Sequence, residues 1–390
     1  MSLFSLFKTA SIQMIVRLVN AIFPRNNDLI IIGSWFGERY ADNSRYLFEI
    51  LTKNANYDVY WVTRNIHLYN ELKEKYTNVI LIGTFKSFIY HIRAGLFLFD
   101  QGFTDFDYAL SRGAVRVNLW HGVPLKKVGI EANQRHNRVQ SRFEYISNFL
   151  LGRKIDFVVS PTTFTDLLFE KCFDEQIIRG PYPRVNYLKS EDEFYNLKTE
   201  ASLLNIIRSK NKKVIMYLPT FRDKMPLKFF GGENLSYLLQ EIDKMGYILV
   251  TKYHLAEELF HKENIELNNE MINIPADCDI YPFLKESDIL VTDYSSVYFD
   301  FLSLNREIVF FPYDLEYYKY EDRGLMLDYE QYTPGAKAYN IKDFLKIISD
   351  INSGEVSYEL ERKELIKKIE FDQSCSEFIR ILKDKNGIRV

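Results

Sequence analysis

The sequence predicts an α/β protein of two consecutive open units, each a parallel sheet flanked by helices, with a cleft between them. Two observations carry this expectation. Short apolar runs alternate with longer stretches whose apolar residues recur at helical spacing, the pattern of βαβ units. The alternation occurs twice, interrupted by a charged, strand-free segment at 188–213, "LKSEDEFYNLKTEASLLNIIRSKNKK". The chain has 390 residues, enough for two ordinary domains.

The elements follow in order. In the first cycle, "DLIIIGSW" (28–35), "YDVYWVT" (57–63), "NVILIGT" (78–84), "GLFLFDQG" (95–102), "VRVNLWHG" (115–122) and "DFVVSPT" (156–162) read as strands. "NSRYLFEILTKN" (43–54) and "FKSFIYHIRA" (85–94) read as helices between them. The segment at 188–213 reads as the link and one helix. The second cycle holds "VIMYLPTFRD" (214–223), "YILVTKYH" (247–254), "MINIPA" (271–276), "DILVTDYSS" (288–296) and "EIVFFPYD" (307–314). Each begins apolar and ends polar. The tail, "IEFDQSCSEFIRILKD" (369–384), reads as a closing helix. The resulting division is 1–25, 26–200 and 201–390.

Composition narrows the function classes. With 47% hydrophobic residues, 27 Tyr and 30 Phe, the chain can bury large cores and is not a disordered segment. A net charge of −3 excludes nucleic-acid binding by bulk charge. The three cysteines, Cys172, Cys278 and Cys375, have neither metal-ligand nor disulfide-framework spacing, which fits a reducing, cytoplasmic setting. The first 25 residues lack a signal-peptide cleavage pattern. Lys8 and Arg17 interrupt them, so no run reaches the ~20 apolar residues of a membrane span. Their apolar content allows two readings: a helix lying on a membrane surface, or one packed on its own domain.

In open parallel sheets, ligands sit outside the carboxyl ends of the strands. Gathering those ends yields His121 with Gly122 and Pro124; Thr220 and Arg222; Lys252 and His254; and Asp293, Ser295 and Ser296. Arg323, in "YEDRG" (320–324), joins them from a later loop. Ser295 or Ser296 can cap a helix running to Leu304. Hydroxyls, amides and cations at three strand ends suit a diphosphate, whose leaving group departs as an anion. His121 lies across the cleft. A neutral imidazole there can accept a proton near neutral pH, and Gly122 and Pro124 predict a stiff, open turn through which a substrate could approach. His67, His91, His136 and His261 follow no clear strand and are expected to be structural. "DFD" (105–107) and "DCD" (277–279) imitate a metal-binding pair, but among 53 acidic residues such pairs arise by chance. No metal or other cofactor is expected.

Taken together, "LWHGVPLKKVG", "LPTFRD", "TKYH", "DILVTDYSSVYFDF" and "FFPYDLEYYKYEDRG" resemble the CDP-glycerol glycerophosphotransferase family of teichoic-acid and capsule polymer synthesis. The resemblance spans roughly residues 28–330 and is to the compact members. It implies a GT-B fold of two Rossmann-like domains, with the acceptor side in 26–200 and the CDP-donor side in 201–390. It further implies that His121 is the general base, that Arg222, His254, Ser295, Ser296 and Arg323 handle the donor phosphates, and that Asp293 and Asp300 order the loop and helix around them. Where family members often carry proline after the second histidine, this chain has Leu255.

The function so implied is transfer of glycerol phosphate from CDP-glycerol to a terminal hydroxyl of a lipid-linked glycan acceptor, with release of CMP. CDP-ribitol as donor, a GT-B glycosyltransferase using a nucleotide sugar, and a non-catalytic membrane scaffold are the competing readings. The stretch 125–142 with Arg153 and Lys154 is basic. With the N-terminal helix it is expected to face an anionic cytoplasmic membrane surface peripherally.

Overall fold

The computed structural model describes residues 24–54, 57–135, 154–220, 222, 230, 235–252, 271–369 and 374–387, together with most of a helix between 11 and 22. The described strands form two parallel sheets. The first runs β3-β2-β1-β4-β5-β6-β7, with β1 Asn26–Ile32, β2 Asp58–Thr63, β3 Val79–Leu81, β4 Ala94–Phe99, β5 Val115–Asn118, β6 Phe157–Ser160 and β7 Gln176–Arg179. The second runs β10-β9-β8-β11-β12-β13, with β8 Lys213–Leu218, β9 Tyr247–Thr251, β10 Met271–Asn273, β11 Ile289–Thr292, β12 Glu307–Phe310 and β13 Ala336–Lys337. Strands buried on both faces need continuous apolar runs, and Ile30–Ile32, Leu96–Phe99 and Ile248–Val250 supply them. The order reverses at β1/β4 in one sheet and at β8/β11 in the other, the positions where open α/β sheets hold ligands.

β7 and β13 are additions to the sequence reading. Between β6 and β7 lies the helix Thr163–Cys172, opened by a Thr162–Thr165 capping box. The helix Lys198–Ser209 occupies the expected link. One apolar cluster runs from Ile30 and Leu96 in the first sheet to Met216 and Leu290 in the second, so the halves share a core. The closing helix, Cys375–Gly387, does not stay with the second sheet. It returns to pack on β1, β4 and the helix Asp42–Thr52, where Lys383 meets Asp28 at 2.7 Å. Spatially, the first unit therefore includes the chain's last helix, which the division at 200/201 had assigned to the second.

The N-terminal helix packs on its own unit along one side only. Val16 is buried against Ile92 and Leu110, while Met14, Ile15, Leu18 and Ile22 are 66, 54, 62 and 74% exposed. Among the described residues no helix is long and apolar enough to cross a membrane.

Candidate active site

A cavity of about 340 Å³ opens between the two sheets at the carboxyl ends of their strands. Trp35, Arg39 and Asp42 reach it from the segment after β1 that ends at the start of the helix Asp42–Thr52, His121 from the chain leaving β5, and Arg184 from the first turn of the helix Pro183–Lys189 that follows β7. Lys252 enters after β9, Asp279 and Tyr281 after β10, and Ser295, Ser296 and Asp300 after β11.

His121 is placed by register. Phe99 pairs with Asn118 across β4 and β5, which brings the carbonyl of Asp100 beside the chain leaving β5. Trp120 then turns the backbone at φ 58°. Its N–H donates to Asn118 Oδ1 at 2.8 Å, and its carbonyl accepts from Asn43 Nδ2 at 2.9 Å. Its ring stacks on the imidazole at 4.2 Å between centroids. His121 Nδ1 lies 3.2 Å from Asp100 O. A carbonyl can only accept, so Nδ1 carries the proton and Nε2 the lone pair. Burial lowers the His121 pKa, and Arg184 and Lys126 act in the same direction. Asp42 and the hydrogen bond to Asp100 oppose them. The imidazole is thus a neutral base at neutral pH.

Gly122 is not part of an open turn. At φ 144° it takes a conformation that favours glycine, and a Cβ there would lie 2.5 Å from Ser296 Oγ. The missing side chain lets the β5 and β11 ends approach across the cleft. Pro124 is buried behind it.

Ser295 and Ser296 both line the cavity. The helix they precede runs Val297–Phe301 and continues as a tighter turn, Leu302–Leu304. Ser295 Oγ accepts only a long 3.5 Å bond from Val297 N, and Ser296 makes no side-chain cap. Lys252 Nζ donates to Cys278 O. Burial lowers its pKa, with Asp279 opposing.

Arg222 does not reach the cavity. It is buried, with Nε and Nη2 on Asp314 at 2.8 and 2.9 Å and Nη2 also 2.9 Å from Asp293. Its Nη1 donates to Thr220 O. Asp293 in turn accepts the N–H of Thr220 at 2.8 Å and of Tyr294 at 2.6 Å. Thr220, Arg222 and Asp293 therefore tie the loops after β8, β11 and β12 together behind the site. Where the sequence suggested a phosphate contact, the described partners of Arg222 are these carboxylates and the Thr220 carbonyl. Arg323 adjoins an antiparallel pairing of Lys126 with Leu325 that links the β5 loop to the second unit, and it is not among the cavity-lining residues. His254 and residues 136–153 lie outside the described residues.

One residue of each metal-like pair is engaged by protein groups. Asp105 accepts backbone N–H groups of Phe36 and Gln101 at 2.7 and 2.8 Å. Asp279 accepts from the Tyr46 hydroxyl at 2.8 Å and pairs with Arg45.

The sequence reading missed Trp35, Arg39, Asp42, Lys126, Arg184, Asp279 and Tyr281. The strand-end rule would have found the first three had it been applied to the end of β1, which was left out of the strand ends gathered. Arg184 follows β7, a strand that was not recognised.

Comparisons with known proteins identify the family and the fold. A family model described as CDP-glycerol:poly(glycerophosphate) glycerophosphotransferase matches residues 15–374. A teichoic acid poly(glycerol phosphate) polymerase of Bacillus spizizenii is 30% identical over 352 residues, covering 83% of this chain and 85% of the relative. A teichoic acid glycerol-phosphate transferase of Staphylococcus aureus is 29% identical, covering 85% and 86%. The solved wall teichoic acid polymerase TagF superposes with a TM-score of 0.72 at 20% identity, covering 99% of this chain and 96% of that one. The fold is therefore GT-B-like.

Proposed function

This chain belongs to the CDP-glycerol:poly(glycerophosphate) glycerophosphotransferase family, and from that premise we propose that it moves glycerol phosphate from CDP-glycerol to the terminal hydroxyl of a membrane lipid-linked acceptor, releasing CMP. The observation that carries this reading is His121, with its proton fixed on Nδ1 by Asp100 O in a cavity shared with Ser295 and Ser296.

The acceptor hydroxyl oxygen attacks the phosphorus bearing glycerol. Its proton passes to His121 Nε2, the new P–O bond forms, and the bond to the CMP oxygen breaks. Ser295 and Ser296 hydroxyls, with Lys252, Arg39 and Lys126, supply donors and positive charge for the phosphoryl oxygens and the departing CMP. Arg222 supports this arrangement from behind, through the loops it joins. The decisive experiment incubates the protein with a short lipid-linked glycerol phosphate acceptor and, in turn, CDP-glycerol, CDP-ribitol and a UDP-sugar. CMP release and a product heavier by one glycerol phosphate are expected with CDP-glycerol alone. UMP or UDP release, or intact donor throughout, would contradict the proposal.

The acceptor's lipid calls for a surface location. The N-terminal helix offers Met14, Ile15, Leu18 and Ile22 outward, and the helix Phe85–Arg93, which packs beside it through Ile92, exposes Phe85. Such apolar faces suit the interfacial region of a bilayer. Of the described part of the basic stretch, Lys126 faces the cavity and Lys127 pairs with Glu131 at 3.5 Å.

A further inference from the structure

The floor of the cavity carries groups that the donor phosphates do not use. Asp42, Asp279 and Asp300 line it alongside the Tyr281 phenol. A phosphate repels a carboxylate, whereas a hydroxyl donates to one. Asp279 is taken up by Arg45 and Tyr46. Asp42 and Asp300 are held differently, by Arg184 between them. Its Nη1 lies 2.5 Å from Asp42 Oδ1 and its Nη2 2.8 Å from Asp300 Oδ2. Tyr281 also donates to Asp300 Oδ2, at 2.7 Å.

Arg184 is 2% exposed and Asp300 0%. Yet Arg184 Nε and Asp300 Oδ1 have no hydrogen-bond partner among the described residues. Buried polar atoms of this kind call for an explanation, and both residues line the cavity. The two hydrogen bonds that Asp42 accepts from described residues, from Arg184 Nη1 and Asn43 N, fall on Oδ1, which leaves Oδ2 for a ligand. Asp42 is also held at φ 64°, in the left-handed region, as is Trp35 at φ 44°, which lines the same cavity. Non-glycine residues in such conformations gather at ligand sites.

We propose that Asp42, aligned by the Arg184–Asp300 pair, is a specificity residue for an acceptor ending in a 1,2-diol. It binds the hydroxyl next to the attacking one and so directs the attacking oxygen to His121 Nε2. The proposal rests on the glycerophosphotransferase reading above. The acceptor rather than the donor is assigned because Asp42 lines the cavity beside His121, the base for the acceptor hydroxyl, and its carboxylate would repel the donor phosphates.

The test uses the full chain with CDP-glycerol and two short acceptors, one ending in glycerol phosphate and one in 3-hydroxypropyl phosphate, which lacks the vicinal hydroxyl. A site built to bond a hydroxyl rejects the analogue without it strongly. The wild type is expected to prefer the diol by about 100-fold or more in kcat/KM. Asp42→Asn should bring that preference below about 10-fold, leaving the KM for CDP-glycerol unchanged. Equal use of both acceptors by the wild type would overturn the proposal. So would an Asp42→Asn chain that is slower on both acceptors by the same factor, the behaviour of a merely structural residue. A preference for CDP-glycerol over CDP-propanediol that Asp42→Asn abolishes would overturn it too, by placing the diol site on the donor. The wild-type arm needs no folded variant, so a misfolded Asp42→Asn chain leaves the test standing. Absence of CMP release with either acceptor would instead sink the parent reading.

Discussion

The carbonyl of Asp100 decides which nitrogen of His121 is basic. His121→Ala is therefore expected to fold, bind donor and lose about 10²–10⁴-fold in turnover, read as CMP release. Because burial lowers the His121 pKa from its usual 6.5, the acid limb of kcat/KM should have its midpoint below 6.5. A midpoint above that value would mean that another group titrates. Arg222 carries a different expectation. Its removal leaves Asp293 and Asp314 buried without their partner. Breaking a buried pair in this way costs about 3–5 kcal/mol, so Arg222→Ala should unfold at markedly lower urea, whatever its effect on rate. Unchanged urea stability would show that the cluster is dispensable. Its position after a strand suggested a phosphate ligand because the partner that claims it, Asp314, lies 92 residues away. No local pattern announces such a pairing.

The helix Phe85–Arg93 depends on a histidine with no part in the site. His91 Nδ1 lies 2.8 Å from Ser87 O, and its Nε2 accepts from Asp107 N at 3.2 Å. Nε2 must stay unprotonated to do so, and burial takes the pKa down to about 4. The folded state therefore binds fewer protons than the unfolded one between about 4 and 6.5. The His91 contribution is complete above pH 6.5 and is lost as pH falls toward 4. That gap corresponds to roughly 3 kcal/mol. Urea midpoints across this range should fall with pH in the wild type and fall less steeply in His91→Gln. The N-terminal helix makes a separate prediction. Glutamates at Ile15 and Leu18 should abolish flotation with vesicles yet leave the melting temperature near that of the wild type, whereas Val16→Asp should lower it. Retained flotation in the first variant would shift attachment to other surfaces. Elements were legible in the sequence where an apolar run was long, as at β1, β4 and β9. β7 sets only Ile177 and Ile178 between Gln176 and Arg179, and β13 has two residues in all, too little apolar pattern to stand out. Missing β7 cost the reading Arg184, and with it the floor of the cavity.

At the scale of the molecule, the two units meet through Gly122 and Ser296, through Arg184, and through the shared apolar cluster. Gly122→Ala would add a Cβ against Ser296 and strain a left-handed backbone. It should cost about 1–3 kcal/mol and reduce turnover by prising the cleft apart, measurable as urea stability and CMP release together. A variant that matches the wild type in both would show that the close approach is incidental. The two-unit architecture could be read from alternation alone. The return of the last helix to the first sheet could not, because its amphipathic face fits either unit.

The pairing of Lys126 with Leu325 has a dynamic consequence. It places two backbone amides across the cleft, Lys127 N on Gly324 O at 3.0 Å and Met326 N on Leu125 O at 2.8 Å. These amides can exchange with deuterium only while the units stand apart. Their exchange rates therefore count openings of the enzyme directly, with no label and no substrate turnover. If the donor bridges the units, CDP-glycerol at a hundred times its Kd should slow both amides about a hundred-fold. The same two signals would then report how often a finished product finds the door open.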